Sequence, residues 1–416
     1  MCGFSFCISK NKILFNEIKA MNKKIYHRGP DKEKIINSIK IKNFTNSKIK
    51  FCAGFRRLKI IDLSNKANQP MFYNDQYLIV FNGEIYNFLE LKEILTKNKY
   101  KFKSKSDTEV ILAAYDFWGE KCFDLFNGMW ALIIYDLKKN KLIVCRDRYG
   151  VKPLYYTKIN KIYYFASEIK QLLILRKKNL LNENTLSNYL YENFYLDSDK
   201  TFIQDIYQVL PGQLLKIDIE NFFLKKKKWY KFSHKTINKN QLDKTIRYNL
   251  ENSVKLRLRS DVKLGISLSG GIDSTTIASL VAKLKKETYK KIYTFSTCSN
   301  DENDEYKYVK EFNKMYKFKN VKIDLKFENF KKDFVRLVKQ HDNPIPNLSI
   351  FSEWEIFRNL KKKKITVNLD GHGADEQLCG YEKYFSLYLK NLLKKLKFTK
   401  ILSFFIEVFK SNIRNK

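Results

Sequence analysis

The chain has 416 residues, with 80 Lys and Arg against 44 Asp and Glu, a formal charge of +36, and 44% hydrophobic residues. That length suits two domains, and the apolar share allows a real core. The charge invites a nucleic-acid reading, but only 12 of the 80 basic residues are Arg, the lysines are scattered, and the runs Lys225–Lys228 and Lys361–Lys364 read as solvated surface, so no nucleic-acid partner is expected.

Seven cysteines, odd in number and without C-x-x-C pairs, suggest neither a disulfide frame nor a zinc site. Met1-Cys2-Gly3 has no basic n-region or long apolar stretch, so no signal peptide is expected. The greasy stretch Phe385 to Phe409 is broken by lysines too often to span a bilayer. A reducing, cytoplasmic location with no membrane partner follows as an expectation.

In chain order, Cys2 comes first. A small second residue allows Met1 removal, which leaves Cys2 with a free α-amine that titrates near pH 8 when unperturbed. Such an amine can serve as base for its own thiol. His27-Arg28-Gly29-Pro30-Asp31 reads as a polar turn, Arg57 to Leu63 as a strand carrying one fixed cation, and Gln69-Pro70-Met71 as the close of a loop. Tyr77 to Phe81 reads as a buried strand ending in Asn82-Gly83-Glu84. An Asn amide and a Gly N–H at a strand end can make a two-donor oxyanion hole. Ser106-Asp107-Thr108-Glu109 reads as a helix cap with an acid in it. Taken singly, each of these is a turn or a cap.

Asn127 to Asp136 reads as a strand, and Arg146-Asp147-Arg148-Tyr149-Gly150-Val151-Lys152-Pro153-Leu154-Tyr155-Tyr156 and Phe165-Ala166-Ser167-Glu168-Ile169-Lys170 follow it. A linker is placed at 201–240, separating a first domain at 2–200 from a second at 241–416.

In the second half, Lys263 to Leu268 reads as a short strand, Ser269-Gly270-Gly271-Ile272-Asp273-Ser274 as a tight turn, and Ile277, Leu280, Val281 and Leu284 recur at helical spacing. A helix N-terminus presents unpaired N–H groups and a dipole that favour an anion, and the two glycines let backbone approach a phosphate. The Lys and spacing of the usual nucleotide loop are missing. An acid, Asp273, stands there instead, which makes sense if a divalent cation lies between it and a polyphosphate. Strands at Ile292–Thr297, Val321–Leu325 and Ile365–Leu369 alternate with helices at Glu305–Tyr316 and Phe330–Lys339, arguing a parallel sheet with ligands at its C-terminal edge. The last strand runs into Asp370-Gly371-His372-Gly373-Ala374-Asp375-Glu376-Gln377-Leu378-Cys379-Gly380-Tyr381, where Asp375 is a second acid at a strand end.

The Ser269–Ser274 hexad resembles the pyrophosphate loop of the PP-loop ATP pyrophosphatases. The ordered N-terminal motifs resemble the class II, N-terminal-nucleophile glutamine amidotransferases, and together the two halves resemble the asparagine synthetase family over nearly the whole chain. The resemblance implies a fold of mixed α/β and α+β class: an N-terminal αββα Ntn-hydrolase sandwich followed by a parallel-sheet PP-loop α/β domain. It implies roles as well. Cys2 would attack the glutamine side-chain amide, and Asn82 and Gly83 would hold the oxyanion. Arg57 would pair with the α-carboxylate, Glu84 and Asp107 would take the α-ammonium, and backbone from Leu58 through Ile60 to Ile61 would line the pocket. ATP would lie against Leu268, Ser269, Gly270, Gly271, Asp273, Ser274, Thr297, Asp370 and Gly371, with Mg²⁺ on Asp273 and Asp375. The 146–156 and 165–170 segments are assigned to sheet, domain interface and the ammonia route. The implied partners are glutamine, ATP and a carboxylate acceptor, aspartate first; a homodimer is the assembly the resemblance allows.

Two departures stand out. His372 occupies the place where asparagine-forming members usually carry a carboxylate that serves acceptor chemistry, and Asp370 replaces the usual Ser. This leaves a sugar uronic acid or another carboxylate as the alternative acceptor. The family also continues past its Gly-Tyr pair with a helical region bearing a basic loop, whereas this sequence stops at Lys416. A helper chain, a different hold on the acceptor, or a truncated remnant are the open readings of that difference, and a glutaminase or partner subunit with a decayed synthetase half is the rival function.

Overall fold

Alternation along the first strand sets the layers. In β1 (Gly3–Lys10), Phe4, Phe6 and Ile8 enter one buried cluster while Cys7 enters another, because successive side chains of a strand face opposite ways. A computed structural model describes the chain apart from residues 11, 41–47, 193–197, 234–237, 299–304, 346 and 415–416. Its strands continue with β2 (Lys32–Asn37), β3 (Ile49–Arg57), β4 (Met71–Tyr73), β5 (Tyr77–Ile85), β6 (Gly128–Asp136), β7 (Lys141–Arg146), β8 (Tyr155–Ile159), β9 (Ile162–Ala166), β10 (Tyr207–Gln208), β11 (Gln213–Asp218) and β12 (Phe223–Lys228). They form two six-stranded antiparallel sheets, ordered β10-β8-β9-β1-β3-β2 and β12-β11-β7-β6-β5-β4.

Around these sheets lie α1 (Phe15–Lys24), α2 (Phe88–Lys97), α3 (Asp107–Trp118), the short α4 (Cys122–Leu125), α5 (Ile169–Leu173), α6 (Glu183–Glu192) and α7 (Lys239–Arg257). The inner faces of the two sheets share one core, where Phe51 of β3 meets Tyr135 of β6 edge-on at 5.3 Å. Such a pair adds about 0.5–1.5 kcal/mol beyond its buried area. The outer face of the second sheet packs on α3 through Val110, Ile111 and Leu112, and that of the first packs on α1 and α5 through Ile18, Met21, Ile169 and Leu172. The result is the four-layer αββα sandwich.

The next elements are β13 (Leu264–Ser267), α8 (Ile272–Lys285), β14 (Tyr293–Cys298), α9 (Tyr306–Tyr316), β15 (Lys319–Asp324), α10 (Phe327–Gln340), α11 (Ser349–Lys362), β16 (Val367–Leu369), α12 (Ala374–Leu378), α13 (Lys383–Lys394) and α14 (Phe398–Arg414). A four-stranded sheet has the order β15-β14-β13-β16, with β14 parallel to both β13 and β15. The chain divides into two units, Met1–Leu264 with Leu325–Val367, and Gly265–Asp324 with Asn368–Lys416. No helix among the described residues is long and apolar enough to cross a membrane.

Three expectations are corrected. Residues 201–240 are not a bare linker: β10, β11 and β12 pair into the two sheets, because Leu214, Leu215 and Ile217 are apolar enough to be buried. The Lys225–Lys228 run lies on β12, an edge strand, where exposed lysines discourage pairing with another chain. The expected strand at 57–63 stops at Arg57, and the residues after it form a loop in which Asp62 has a φ of 55°. The strand expected to end at Phe81 continues to Ile85, so Asn82 and Gly83 lie within β5 rather than beyond it.

Candidate active sites

The first site is built on the start of β1. The Phe4 N–H donates to Ser167 Oγ at 3.0 Å, while Gln171 Nε2 donates to the Phe4 carbonyl at 3.1 Å and to Ser5 Oγ at 2.8 Å. Ser167 and the first turn of α5 therefore fix the strand from which Cys2 projects, a role the sequence did not assign to that segment. The Leu58 N–H donates to Cys2 Sγ at 3.4 Å, and Sγ lies 3.5 Å from the Leu58 carbonyl. Burial pushes the Cys2 thiol up, against the neighbouring α-amine, the Leu58 hydrogen bond and Arg57.

A cavity of about 60 Å³ opens at this thiol and brings together Cys2, Arg57, Leu58, Ile60, Ile61, Asn82, Gly83, Glu84 and Asp107. Asn82 is 1% exposed, and its Nδ2 has no hydrogen-bond partner among the described residues. A buried amide donor left unpaired is costly, so it marks a place where an acceptor belongs. Gly83 is required by packing: a Cβ there would lie 2.1 Å from the Met129 carbonyl oxygen and 2.8 Å from Trp130 Cα.

Glu84 and Asp107 supply buried acid. Burial, then repulsion from Asp107, lifts Glu84 to about 8; burial lifts Asp107 to about 6 against its hydrogen bonds from the backbone and from Ser106 and Thr108. Asp107 stands at the start of α3, capped by Ser106, and its Oδ2 accepts from the Ile85 N–H at 2.9 Å. The Glu84 Oε1 has no hydrogen-bond partner among the described residues. Two carboxyls burdened in this way favour a cation between them, because it would relieve both the desolvation and the repulsion.

Arg57, 5% exposed, donates to the Ser64 carbonyl at 2.7 Å, to Asn68 Oδ1 at 2.8 Å, and to the carbonyls of Ile61 and Asp62. Its guanidinium thus organises the 61–68 loop, whose earlier residues line the cavity.

Sequence reasoning missed Lys152. The Arg146 guanidinium binds the carbonyls of Gly150, Lys152 and Val209, each at 2.7 Å, and Asp147 accepts from the N–H groups of Val151 and Lys152. This braced turn carries the Lys152 side chain, 6% exposed, into the Cys2 cavity. The available signal was a lysine directly followed by the apolar run Pro153-Leu154-Tyr155-Tyr156, a poor setting for a solvated charge.

In the second unit, β13 delivers a loop to the N-terminus of α8. The Leu268 N–H extends the pairing by donating to the Phe295 carbonyl at 2.8 Å. Ser274 Oγ accepts from the Ser269 N–H at 3.1 Å, and Ser269 Oγ accepts from the Gly271 N–H at 3.2 Å. The loop therefore closes through its own hydroxyls. Gly270 has a φ of +95°, and a Cβ there would lie 2.7 Å from the Glu305 carbonyl oxygen, so glycine is needed on both counts. Gly371 abuts the same turn, where a Cβ would lie 2.9 Å from that of Asp273. Thr297 stands near the end of the adjacent β14, and Asp370 follows β16 directly. The glycine turn, helix N-terminus and C-terminal strand ends thus come together in one place.

Comparison with known proteins then decides the family. The family model described as a glutamine amidotransferase domain matches residues 1–230, and that described as asparagine synthase matches residues 245–410. A Methanocaldococcus jannaschii protein whose provisional name is asparagine synthetase (glutamine-hydrolysing) 2 is 34% identical over 423 aligned residues, covering 96% of this chain and 80% of its own. The chain belongs to the glutamine-hydrolysing asparagine synthetase family. Asparagine synthetase (glutamine-hydrolysing) 1 of Bacillus subtilis is 34% identical, covering 92% of this chain and 59% of its own length. A Penicillium rubens protein named amidase chyE is 28% identical, covering 86% of this chain and 54% of its own. The chain therefore spans between about half and four-fifths of these relatives.

The acids around the synthetase loop fit a divalent cation in chemistry. Burial, then repulsion from Asp375 and Glu376, pushes the Asp273 carboxyl up. No group of three or more His, Cys, Asp or Glu side chains arranged to hold a metal is found among the described residues. Two carboxylates with phosphate oxygens and water are enough for Mg²⁺, which keeps several waters and is commonly held against substrate phosphates. Asp375 is held by backbone, its carbonyl accepting from the Gly380 N–H at 3.0 Å. The His372 side chain is 70% exposed and its Nδ1 lies 3.1 Å from Asp370 Oδ1.

Proposed function

We propose that this protein is a glutamine-dependent amidotransferase that forms asparagine from aspartate. Glutamine is hydrolysed at Cys2. After Met1 is removed, the Cys2 α-amine takes the thiol proton as sulfur adds to the side-chain amide carbon. Asn82 Nδ2 and the Gly83 N–H receive the oxyanion, and the amine returns its proton to the departing ammonia. Water then releases glutamate from the thioester. Arg57 receives the α-carboxylate and Glu84 and Asp107 the α-ammonium. Ammonia passes within the protein to the second site.

There the aspartate β-carboxylate attacks the α-phosphorus of ATP, and pyrophosphate leaves. Ammonia displaces AMP from the acyl adenylate. The Ser269–Ser274 turn and the N-terminus of α8 receive phosphate oxygens, Leu268, Thr297, Asp370 and Gly371 border the nucleotide, and Asp273 and Asp375 are the residues that would hold Mg²⁺. Bound there, the cation supplies neutralisation of phosphate charge. Keeping the second site closed to water protects the adenylate from hydrolysis and keeps the ammonia unprotonated.

The observation that supports this reading most strongly is the buried Asn82 amide, without a hydrogen-bond partner among the described residues, in the same cavity as the Cys2 thiol. A second acceptor is favoured by one feature: His372, paired with Asp370, stands where asparagine-forming relatives usually carry a carboxylate. The test is to incubate purified protein with ATP, Mg²⁺, glutamine and aspartate, and to measure asparagine, AMP and pyrophosphate. Asparagine formed in step with pyrophosphate supports the proposal. Pyrophosphate released with a uronic acid but not with aspartate overturns the choice of acceptor. Cys2→Ala is expected to abolish glutamine use and spare synthesis from free ammonia.

A further inference from the structure

The cavity around Cys2 holds a cation for which the reaction above has no use. Lys152 is 6% exposed, its backbone is clamped by Arg146 and Asp147, and its Nζ lies 3.3 Å from the thioether of Met1. A thioether is a weak acceptor for an ammonium, and it belongs to the residue whose removal creates the catalytic amine. Excision of Met1 therefore takes away that contact and puts a new α-amine on Cys2, in the cavity that Lys152 lines.

We propose that Lys152 is a positioning residue of glutamine hydrolysis, whose ammonium acts through the Cys2 α-amine by keeping that amine in its free-base form. This rests on the reading of Cys2 as the nucleophile.

The physical case is one of sign. The Met1 α-amine, one residue ahead of the amine that excision creates, is held at about 5, first by burial and then by Lys152 and Arg28, against opposing pulls from Cys2 and Asp31, so a Lys152 charge in this cavity acts on an amine at this end of the chain. The other charged groups of the cavity are Arg57, Glu84 and Asp107. Glu84, at about 8, is mostly neutral at pH 7, so of the two acids it is mainly Asp107, at about 6, that opposes the cations there. A fixed ammonium close to an amine penalises a second positive charge there, which leaves the lone pair available to accept the thiol proton.

The test uses the full, Met1-processed protein and its Lys152→Met and Lys152→Arg variants, with glutamate release measured at saturating glutamine from pH 5.5 to 9.5. Lys152→Met keeps the aliphatic stem and removes the charge. It is expected to move the acid limb of kcat up by about one pH unit, which is about a tenfold loss below both limbs that recovers at high pH. KM is expected to change less than about threefold, and Lys152→Arg to stay close to wild type. A loss of equal size at every pH, or an unmoved acid limb, overturns the proposal. Lys152→Gln replaces the Met variant if that one fails to accumulate.

A second measurement separates this proposal from the function it rests on. The pH dependence of α-amine carbamylation by cyanate, read on the N-terminal peptide by mass spectrometry, reports the amine without glutamine. A midpoint raised in Lys152→Met supports the proposal even where no glutamate is released, and an unchanged midpoint rejects it. Glutamate release that survives Cys2→Ala rejects the underlying reading instead.

Discussion

Asp261 accepts a hydrogen bond from the Asp62 N–H at 2.8 Å, across 199 residues of sequence. The Asp261 N–H donates in turn to the Ile60 carbonyl at 3.0 Å, and two residues earlier Arg259 pairs with Glu90 and donates to the Tyr86 carbonyl. The segment just after α7 is thereby fastened to the loop that lines the Cys2 cavity. That loop pairs with no strand among the described residues, so its shape depends on such contacts.

Asp261→Ala removes the acceptor for the Asp62 N–H. A hydrogen bond of this kind is worth about 1 kcal/mol net, so KM for glutamine is expected to rise about fivefold with kcat little changed. Asp261→Asn keeps an oxygen and is expected to lie near wild type. Steady-state glutaminase kinetics on the two variants check this, and equal effects from both would show that the hydrogen bond does not shape the pocket.

That loop also marks the limit of what the sequence could tell. Ile60, Ile61 and Leu63 form an apolar run that reads as strand, yet Leu63 is 46% exposed, and the backbone is held by Arg57, Cys2 and Asp261 instead of a neighbouring strand. Partners so distant in sequence leave no local signal. The Ser269–Ser274 turn was legible because its requirements are local: a positive φ at Gly270, hydroxyls that close the loop and apolar spacing in the helix after it. Lys225–Lys228 concealed an edge strand because its lysines are surface while its pairing lies in the backbone. The attachment of α10 and α11 to the first unit was hidden for the same reason as the loop. It involves Asp342 Oδ2, which accepts from the Ile169 N–H at 2.6 Å from 173 residues away.

Glutamine affinity is expected to depend on Glu84. Its carboxyl is held at about 8 by burial and by Asp107, so it is mostly neutral at pH 7, whereas an α-ammonium is bound best by an ionised acid. Raising the pH through this range supplies the ionised form. KM is therefore expected to fall as pH rises, by up to about tenfold per unit below pH 8 where binding requires that form. Glu84→Gln is expected to raise KM and to flatten this dependence. Measuring KM from pH 6.5 to 8.5 in both proteins checks it, and a slope of the same size in the variant would remove Glu84 from the site.

Glu168 offers a stability prediction of opposite sign. Burial alone would raise its carboxyl, but hydrogen bonding to His27 and the charges of Arg28 and Lys170 outweigh that and hold it at about 2, against an ordinary 4.5. A carboxyl depressed in the fold stabilises it above the unfolded value and loses that contribution as pH falls towards the folded one. The charge is thus fully effective above about pH 4.5, and its loss at pH 7 is expected to cost on the order of 3 kcal/mol. Glu168→Gln retains an oxygen to cap α5 while removing the charge, so it isolates the electrostatic part. Urea unfolding followed by tryptophan fluorescence is expected to show the variant's midpoint well below wild type at pH 7, with the gap closing as pH drops below 4.5. A gap independent of pH would assign the effect to the cap and not to the charges of Arg28 and Lys170.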